Sequence, residues 1–206
     1  MNHIEQLQQH VPNLLKRNML DVGSGGGKFL NLARRYGATV EGIEYNAERA
    51  RETGVIQGIG EAMPFLDGQF GFLNISEVIE HCQNPKKLLQ ESFRVLETNG
   101  FAYVSIPCRF GLYDPHYHLP FVNLLPRFLS DFVVRVLREE KGTGAGAQKL
   151  SEMHYMTYNQ AEKLLKEVGF FFIDTRETKL PLFAIPFYRL VRNFYPSVMH
   201  FILRKP

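Results

Sequence analysis

Four glycines between residues 23 and 27, directly after an apolar segment, limit the folds open to this chain more than any other feature. Residues 18–22 are predicted to form a strand and residues 29–36 a helix, so the glycines occupy the turn between them. Glycine lets the backbone turn sharply and approach a ligand closely. A strand, a glycine turn and a helix in this order are typical of the ligand-binding edge of a parallel α/β sheet.

Strands and helices alternate through most of the chain. Such alternation builds β–α–β units, and their right-handed crossovers bring the carboxyl ends of the strands to one edge of a sheet. The predicted fold class is therefore α/β, with helices on both faces of a mostly parallel sheet of about seven strands. The predicted strands are residues 18–22, 38–43, 55–56, 72–75, 101–106 and 170–174, and the predicted helices are residues 3–17, 29–36, 46–53, 85–96 and 158–168.

Two regions depart from this alternation within what is predicted to be a single domain, residues 1–206. Residues 107–155 form a long insertion after the fifth strand, with an aromatic and histidine-rich stretch and a helix. The apolar side chains on one face of that helix are Leu129, Phe132, Val133, Val136 and Leu137. We expect the insertion to be a mobile lid over a pocket for a second ligand, the acceptor of the reaction, and to be hinged near Gly142–Gly146. Residues 176–206 form a basic, aromatic tail.

The composition excludes several classes of protein. Hydrophobic residues make up 45% and charged residues 22%, as in soluble globular proteins. A net charge of +3 is small for a nucleic-acid-binding protein, so no such partner is expected. Cys82 and Cys108 cannot form a disulfide framework, which fits a reducing compartment. The first 17 residues lack a signal-peptide core, and no stretch resembles a membrane span, so the protein is expected to be cytoplasmic.

The tail is the region where an anionic partner is expected, because residues 176–206 hold six basic residues and one acidic residue. Residues 187–194 place apolar side chains on one face of a helix, and residues 198–202 repeat that spacing after Pro196. Basic residues beside such a face are typical of a helix that lies in the plane of a membrane surface. Peripheral contact with the inner membrane face is one expectation. The alternative is that this face packs on the sheet or on a second copy in a homodimer.

Two common nucleotide-binding patterns do not fit the glycine turn. The dehydrogenase pattern GxGxxG, counted from Gly23, requires glycine where Lys28 stands. The P-loop pattern requires glycine at Val22 and serine or threonine at Phe29. The pattern Asp-x-Gly-x-Gly-x-Gly fits from Asp21 without a gap.

The segment LDVGSGGG at residues 20–27 resembles motif I of the class I S-adenosylmethionine-dependent methyltransferases, in the branch that methylates small molecules, lipids and glycans. The resemblance is strong over residues 19–106 and weaker over 154–173. It is carried further by Glu44, GIGEAMPF at 58–65, SEVIEH at 76–81 and RVLETNG at 94–100. It implies a Rossmann-like three-layer sandwich, S-adenosylmethionine as methyl donor and S-adenosylhomocysteine as product. The alternatives are a catalytically weak or inactive scaffold protein of this fold, and a nicotinamide-dependent oxidoreductase, which Lys28 disfavours.

The resemblance also implies a cofactor site. Asp21 is expected to orient the loop and face the ammonium of the cofactor, and Glu44 to accept hydrogen bonds from ribose hydroxyls. Two positions depart from the family, because Ile59 and Gly71 stand where it has aspartates; one lost acceptor costs about 1 kcal/mol. The implied cofactor residues are Asp21, Gly23, Ser24, Gly25, Gly27, Glu44, Tyr45, Ile59, Gly60, Glu61 and Ser76.

Four histidines are candidates for a catalytic base, since imidazole takes up a proton near neutral pH. His81 follows the fourth strand, His116 and His118 lie in the insertion, and His154 precedes the last predicted helix. The alternative for His81 is that it orients a loop, and for His116 and His118 that they pack among aromatic residues. The alternative for His154 is that it caps a helix. Asp114, His116 and His118 are closely spaced but have no fourth ligand in view, so no metal centre is expected.

The insertion resembles, more loosely, that of methyltransferases of bacterial surface-glycan biosynthesis. DPHYHLP at residues 114–120 and LLP at 124–126 carry this likeness. It implies a hydroxyl acceptor on a sugar or a lipid-linked sugar, while quinone-like and other lipid acceptors remain open. The expected function is O-methylation of a small-molecule, lipid or glycan acceptor.

Overall fold

Helices and strands cover much of the chain, in a computed structural model that describes residues 1–139, 148–194 and 197–206. The strands are β1 Met19–Val22, β2 Val40–Glu44, β3 Ile56–Gln57, β4 Phe70–Ile75, β5 Leu96–Pro107, β6 Phe171–Asp174 and β7 Val198–Arg204. The α-helices are α1 His3–Gln8, α2 Lys28–Arg35, α3 Ala47–Thr53, α4 Pro85–Val95, α5 Arg127–Glu139, α6 Tyr158–Val168 and α7 Ile185–Val191.

The strands form one sheet in the order β3-β2-β1-β4-β5-β7-β6. The pairs from β3 to β5 are parallel, whereas β7 runs antiparallel to both of its neighbours, β5 and β6. The predicted α/β fold with a mostly parallel, seven-stranded sheet is confirmed. The chain order reverses between β1 and β4, and in such sheets ligands bind at the strand ends beside that reversal.

Helices cover both faces of the sheet, as predicted. On one face, α1 and α2 bury Ile4, Leu7, Leu30 and Ala33 against Phe72 and Tyr103. On the other face, α4 and α6 bury Leu88, Leu89, Ala161 and Leu165 against Leu73 and Val104. A smaller third cluster lies within the insertion and includes Val122, Val134, Leu150, Met153 and Tyr155. The insertion therefore has a core of its own.

The N-terminal helix is shorter than predicted. α1 ends at Gln8, and a 3₁₀ helix at Leu14–Lys16 replaces the predicted continuation to residue 17. Pro12 explains the early end, because proline has no backbone N–H and its ring clashes with the preceding helical turn. The predicted apolar residues are nevertheless buried or partly buried: Ile4, Leu7, Val11, Leu14 and Leu15.

The prediction of a helix at residues 198–202 is wrong, because these residues belong to β7. The strand lies between β5 and β6, and Met199, Phe201, Ile202 and Leu203 are all buried. A strand covered on both faces has a continuous apolar run instead of an alternating one, and such a run contains helical spacings by coincidence. The tail therefore completes the sheet.

The two basic residues at the end of β7 are also engaged within the protein. Lys205 Nζ donates to the carbonyl oxygens of Phe93 and Leu96, and Arg204 donates to Asn99 Oδ1. They leave fewer basic groups for a membrane surface than the sequence suggests. α7 confirms the first predicted tail helix, although Tyr188 is the residue it buries.

The insertion contains the predicted helix, α5, but its predicted apolar face is largely exposed. Leu129, Phe132, Val136 and Leu137 are exposed, whereas Ser130 and Val134 are buried. The predicted hinge, Gly142–Gly146, lies outside the described residues, so the lid stays a prediction.

The place of β7 in the sheet predicts a large loss of stability when its core side chain is shortened. Phe201 is fully buried and packs edge-on against Tyr158 and Phe172. Phe201→Ala is expected to lower the free energy of unfolding by about 3–5 kcal/mol in urea titrations. Phe183→Ala in the same tail, at a side chain that is 86% exposed, should change it by less than about 0.5 kcal/mol. Equal effects of the two substitutions would contradict this placement.

Candidate cofactor and acceptor site

A cavity of about 890 Å³ opens at the carboxyl ends of β1, β2 and β4. Its volume lies near the top of the range of about 300–1,000 Å³ that is usual for small-molecule sites. The wall contains most of the residues predicted from the sequence: Asp21, Gly23, Ser24, Gly25, Glu44, Tyr45, Ile59, Gly60, Glu61, Ser76 and His81. Gly27 is not on the wall; it lies at the start of α2 with a positive φ of 74°.

The glycine turn has the backbone geometry that requires glycine. Gly23 and Gly25 have φ values of 68° and 51°, in the left-handed region. A Cβ on Gly23 would lie 2.6 Å from a methyl of Val78, so a side chain there would displace the cavity wall. A Cβ on Gly25 would meet no atom within 4 Å, because this residue faces the cavity. The turn therefore lets a ligand approach the backbone closely.

Glu44 joins the glycine turn to the end of β2. Its Oε2 accepts a hydrogen bond from the Gly25 amide at 2.8 Å, and its Oε1 accepts one from the Asn46 amide at 3.0 Å. The side chain is buried, and the amides of Gly23 and Ser24 add bonds to the carbonyl of Ile43. Each carboxylate oxygen can accept a further hydrogen bond, which fits a role toward ligand hydroxyls.

Asp21 is a buried carboxylate on the floor of the cavity. Asn74 Nδ2 donates to its Oδ1 at 2.7 Å, and Asn74 Oδ1 lies 3.1 Å from His3 Nε2. Burial raises the pKa of Asp21 to about 7, and the charge of Glu44 raises it as well, while the bond from Asn74 lowers it. A cation beside Asp21 would stabilise the ionised form. The site thus favours a positively charged group at this position.

Several wall residues were not predicted from the sequence. His3 reaches the cavity from α1, Asn74 from within β4 and Gln148 from the far end of the insertion. Each is an ordinary polar residue without a local motif, so only the topology brings it to the site. Cys82 also lines the wall, but burial, helped by the charge of Glu61, raises its pKa to about 12. Its thiol is therefore no nucleophile near neutral pH.

The two departures from the family pattern have different consequences. Ile59 lines the cavity and is half exposed, so its apolar side chain takes the place of a carboxylate there. Gly71 is not on the wall. A Cβ at Gly71 would lie 2.8 Å from Glu97 Oε1 and 3.0 Å from the Cβ of Arg17, which form an ion pair. The glycine at 71 is explained by that ion pair and has no bearing on the cavity.

The four candidate histidines lie in different places. His81 lines the cavity, and its Nε2 is 3.2 Å from Nε2 of His116. His116 is partly buried beside Glu80, whose carboxylate raises the pKa of His116. His118 packs its ring near Tyr113, and the backbone amide of His154 donates to the carbonyl of Glu80. Neither His118 nor His154 is on the wall. The structure therefore brings two of the four together at the cavity.

Several known proteins similar to this chain are methyltransferases. A family model described as a methyltransferase domain matches residues 20–104. A ubiquinone biosynthesis O-methyltransferase of Pseudomonas fluorescens is 27% identical over 177 residues, which cover 75% of this chain and 74% of that protein. A solved S-adenosylmethionine-dependent methyltransferase from Mesorhizobium loti superposes with a TM-score of 0.63 at 16% identity, over 98% of this chain and 96% of its own. The matched domain is that of a methyltransferase, and the fold is that of the class I S-adenosylmethionine-dependent methyltransferases.

A further relative differs in the atom it methylates. Norajmaline N-methyltransferase of Rauvolfia serpentina is 33% identical over 98 residues, 41% of this chain. The match spans only 34% of that plant enzyme, about a third of its length. The relatives of this methyltransferase thus include both O- and N-methyltransferases.

The cavity fits the cofactor of this family. Ser24 Oγ, in the glycine turn, is buried and has no hydrogen-bond partner within the described part of the chain, so it is available to a ligand. Asp21 favours a cation, as the ammonium group of S-adenosylmethionine requires, and Glu44 can accept from its ribose hydroxyls. Glu61 lies on the wall, but its Oε1 accepts from the amides of Gln83 and Asn84 and so caps the start of α4.

Asp21→Asn is expected to stabilise the cofactor-free methyltransferase at high pH. The pKa of Asp21 is raised from 3.8 to about 7 by folding, so its contribution to stability is lost as the pH rises from about 4 through 7. Asparagine has no charge to bury and keeps the acceptor for Asn74. The melting temperature should rise by several degrees at pH 8 and by less at pH 5.

Glu41→Gln, at an exposed carboxylate on β2, is the matched control and should leave both melting temperatures within about 1 °C. A fall in the melting temperature of Asp21→Asn at pH 8 would mean that the buried carboxylate stabilises the fold.

Proposed function

We propose that this methyltransferase methylates a hydroxyl group of a small-molecule, lipid or glycan acceptor. S-adenosylmethionine, when bound, supplies an electrophilic methyl group on a sulfonium. The chain's own residues must hold the acceptor in line and deal with the hydroxyl proton, because a neutral hydroxyl is a weak nucleophile. The observation that carries this proposal is that His81 lies on the cavity wall, with two further proton acceptors, His116 and Glu80, behind it.

The protonation pattern of His81 is set by Gln148. His81 Nδ1 lies 2.8 Å from Gln148 Oε1, an atom that only accepts hydrogen bonds, so Nδ1 carries the hydrogen. In the neutral ring, Nε2 then carries the lone pair. His81 can therefore take up a proton at Nε2, the atom that lies 3.2 Å from His116 Nε2. His116 and the buried carboxylate of Glu80 stand behind it and would stabilise the positive charge that results.

The relatives support this proposal in part. The matched Pseudomonas fluorescens protein is named for O-methylation in ubiquinone biosynthesis and covers three quarters of this chain. The plant N-methyltransferase matches less than half of the chain, 41%. We therefore favour oxygen over nitrogen as the methylated atom, on an acceptor that is a sugar, a lipid-linked sugar or a quinone precursor.

The test is incubation with S-adenosylmethionine labelled in the methyl group and a panel of acceptors that carry hydroxyl, amine or thiol groups. O-methylated products are expected. His81→Asn should lower kcat by about 10²–10⁴-fold while S-adenosylhomocysteine affinity stays within about threefold. His118→Asn, in the insertion but away from the wall, should leave both unchanged.

Exclusively N-methylated products would overturn the proposed acceptor chemistry. Cofactor binding without any transfer would support the inactive scaffold instead. Equal loss of kcat and of cofactor affinity in His81→Asn would place His81 in the cofactor site.

We also propose that the tail contacts the inner face of an anionic membrane in the cytoplasm. No helix in the described residues is long and apolar enough to cross a bilayer. Large apolar side chains of the tail are 54–86% exposed and form what we call the tail apolar surface: Leu182, Phe183, Phe187, Leu190 and Phe194. Arg189 and Arg192 pair with Glu177 and Glu162, so apolar insertion would contribute more than charge. A lipid-linked acceptor would gain from such contact.

Vesicle co-sedimentation tests the membrane contact. The full chain should pellet with anionic vesicles at low salt, and the double variant Phe183→Ser/Phe187→Ser should stay in the supernatant. Substitutions are preferable to removal of the tail, which would also remove β7. If the full chain stays in the supernatant and light scattering gives twice the monomer mass, the tail apolar surface joins two copies instead.

A further inference from the structure

Three potential metal ligands converge beside the cavity, behind the wall formed by His81. His81 Nε2 lies 3.2 Å from His116 Nε2, and His116 Nε2 lies 3.3 Å from Glu80 Oε1. One ligand atom from each of the three residues lies within 4.8 Å of the other two. Glu80 and His81 come from the loop after β4 and His116 from the insertion. The fold therefore brings together residues whose spacing in the sequence does not predict a cluster.

Glu80 is the most unusual member of this cluster. Its side chain is 0% exposed, and neither carboxylate oxygen has a hydrogen-bond partner in the parts of the chain that the structure describes. The contact with His116 meets the distance of an ion pair but not the alignment of a hydrogen bond. A buried carboxylate without hydrogen bonds is strongly destabilising unless a positive charge compensates it. Glu80 therefore indicates a positive charge at this place, either a bound cation or a proton on His116.

Hydrogen bonds outside the cluster turn both imidazoles toward Glu80. Gln148 accepts from His81 Nδ1. Tyr155 donates its hydroxyl hydrogen to Asp114 Oδ2 at 2.9 Å, so its oxygen accepts from His116 Nδ1 at 3.0 Å. Both Nδ1 atoms thus carry hydrogens, and both Nε2 atoms present lone pairs to one another. Metal-bound histidines are oriented in this way, by a hydrogen bond from the ring nitrogen that does not bind the metal.

We propose that Glu80, His81 and His116 bind a divalent transition-metal ion. Two lone pairs and a carboxylate oxygen at such distances repel one another unless a cation or a proton lies between them. Two imidazoles and one carboxylate suit Mn²⁺, Co²⁺ or Zn²⁺, whereas Mg²⁺ prefers oxygen ligands throughout. This proposal replaces the expectation from the sequence that no metal is bound. Asp114, considered there as a ligand, instead orients His116 through Tyr155.

The position of the cluster also gives the ion a role in methyl transfer. This role, unlike the metal site itself, rests on the proposed O-methylation. Three protein ligands leave coordination positions open. His81 and Gln148 also line the cavity, as does the exposed carboxylate of Glu77, so an acceptor oxygen has access to the ion from this side. A hydroxyl bound to a divalent metal loses its proton more readily. With the ion bound, His81 would be a metal ligand in place of the base proposed above, and the acidified hydroxyl would release its proton to water.

The test is titration of the full chain with Co²⁺, followed by calorimetry and by the visible absorption of the ion, with no cofactor or acceptor present. The wild type should bind a single Co²⁺ and melt at a higher temperature with it. His116→Asn and Glu80→Gln should each weaken binding at least about tenfold. His118→Asn, in the same loop, should bind as the wild type does, and Mg²⁺ should compete poorly.

The proposal is overturned if the wild type gives no Co²⁺ absorption at millimolar ion, which would mean that a proton holds the cluster. It is also overturned if His118→Asn weakens binding as much as His116→Asn. Should Glu80→Gln fail to fold, His81→Asn at the exposed side of the cluster gives the same comparison. The measurement is metal binding, so a chain that binds no Co²⁺ does not contradict the proposed methyl transfer. In the same way, a failure to find a methyl acceptor does not contradict the proposed metal site.

Discussion

The hydrogen bonds of the Glu44 carboxylate are the interaction on which the cofactor site depends. One oxygen holds the glycine turn that follows β1, and the other holds the start of the segment that leads into α3. The segments that follow the neighbouring parallel strands β1 and β2 are thereby held together and form one fixed surface of the cavity. With the turn anchored in this way, Ser24 and the backbone around Gly25 face the cavity, and the ligand does not have to order this turn. A preorganised site of this kind loses less entropy on binding.

The same surface is made at a cost to the stability of the protein. Asp21 is buried beside Glu44, and the raised pKa of Asp21 measures how poorly its charge is solvated there. Asn74 donates a hydrogen bond to Asp21 and contacts His3 through its own oxygen, so neither residue neutralises the carboxylate. Glu80 repeats the pattern behind the wall formed by His81, with a buried carboxylate that lacks hydrogen bonds in the described part of the chain. Both carboxylates are stabilised by positive charge, which fits ligands that bring it.

Sequence patterns were sufficient for the fold and for bringing most of the predicted cofactor residues to one cavity, because both depend on local signals. Gly23 and Gly25 are confined to the turn by their backbone conformations, and Glu44 follows directly at the end of a strand. The prediction of a helix at residues 198–202 failed for a physical reason. Because β7 is buried on both faces, Phe201 and its neighbours show no alternation of apolar and polar residues. Pro12 marked the end of α1, but the buried residues beyond it continued the helical spacing. The cluster of Glu80 and His116 depends on long-range packing, which no single segment encodes.

The central claim is that the glycine turn held by Glu44 binds the methyl-donor cofactor, and calorimetry with S-adenosylhomocysteine tests it most directly. The wild type should bind a single molecule, with no comparable heat from NAD. Glu44→Ala removes both hydrogen bonds that hold the turn and should weaken binding by at least about tenfold, equivalent to about 1.4 kcal/mol, while Glu41→Ala on the exposed side of β2 should not. Wild-type binding that Glu44→Ala leaves unchanged, or no binding at millimolar S-adenosylhomocysteine, would contradict the account.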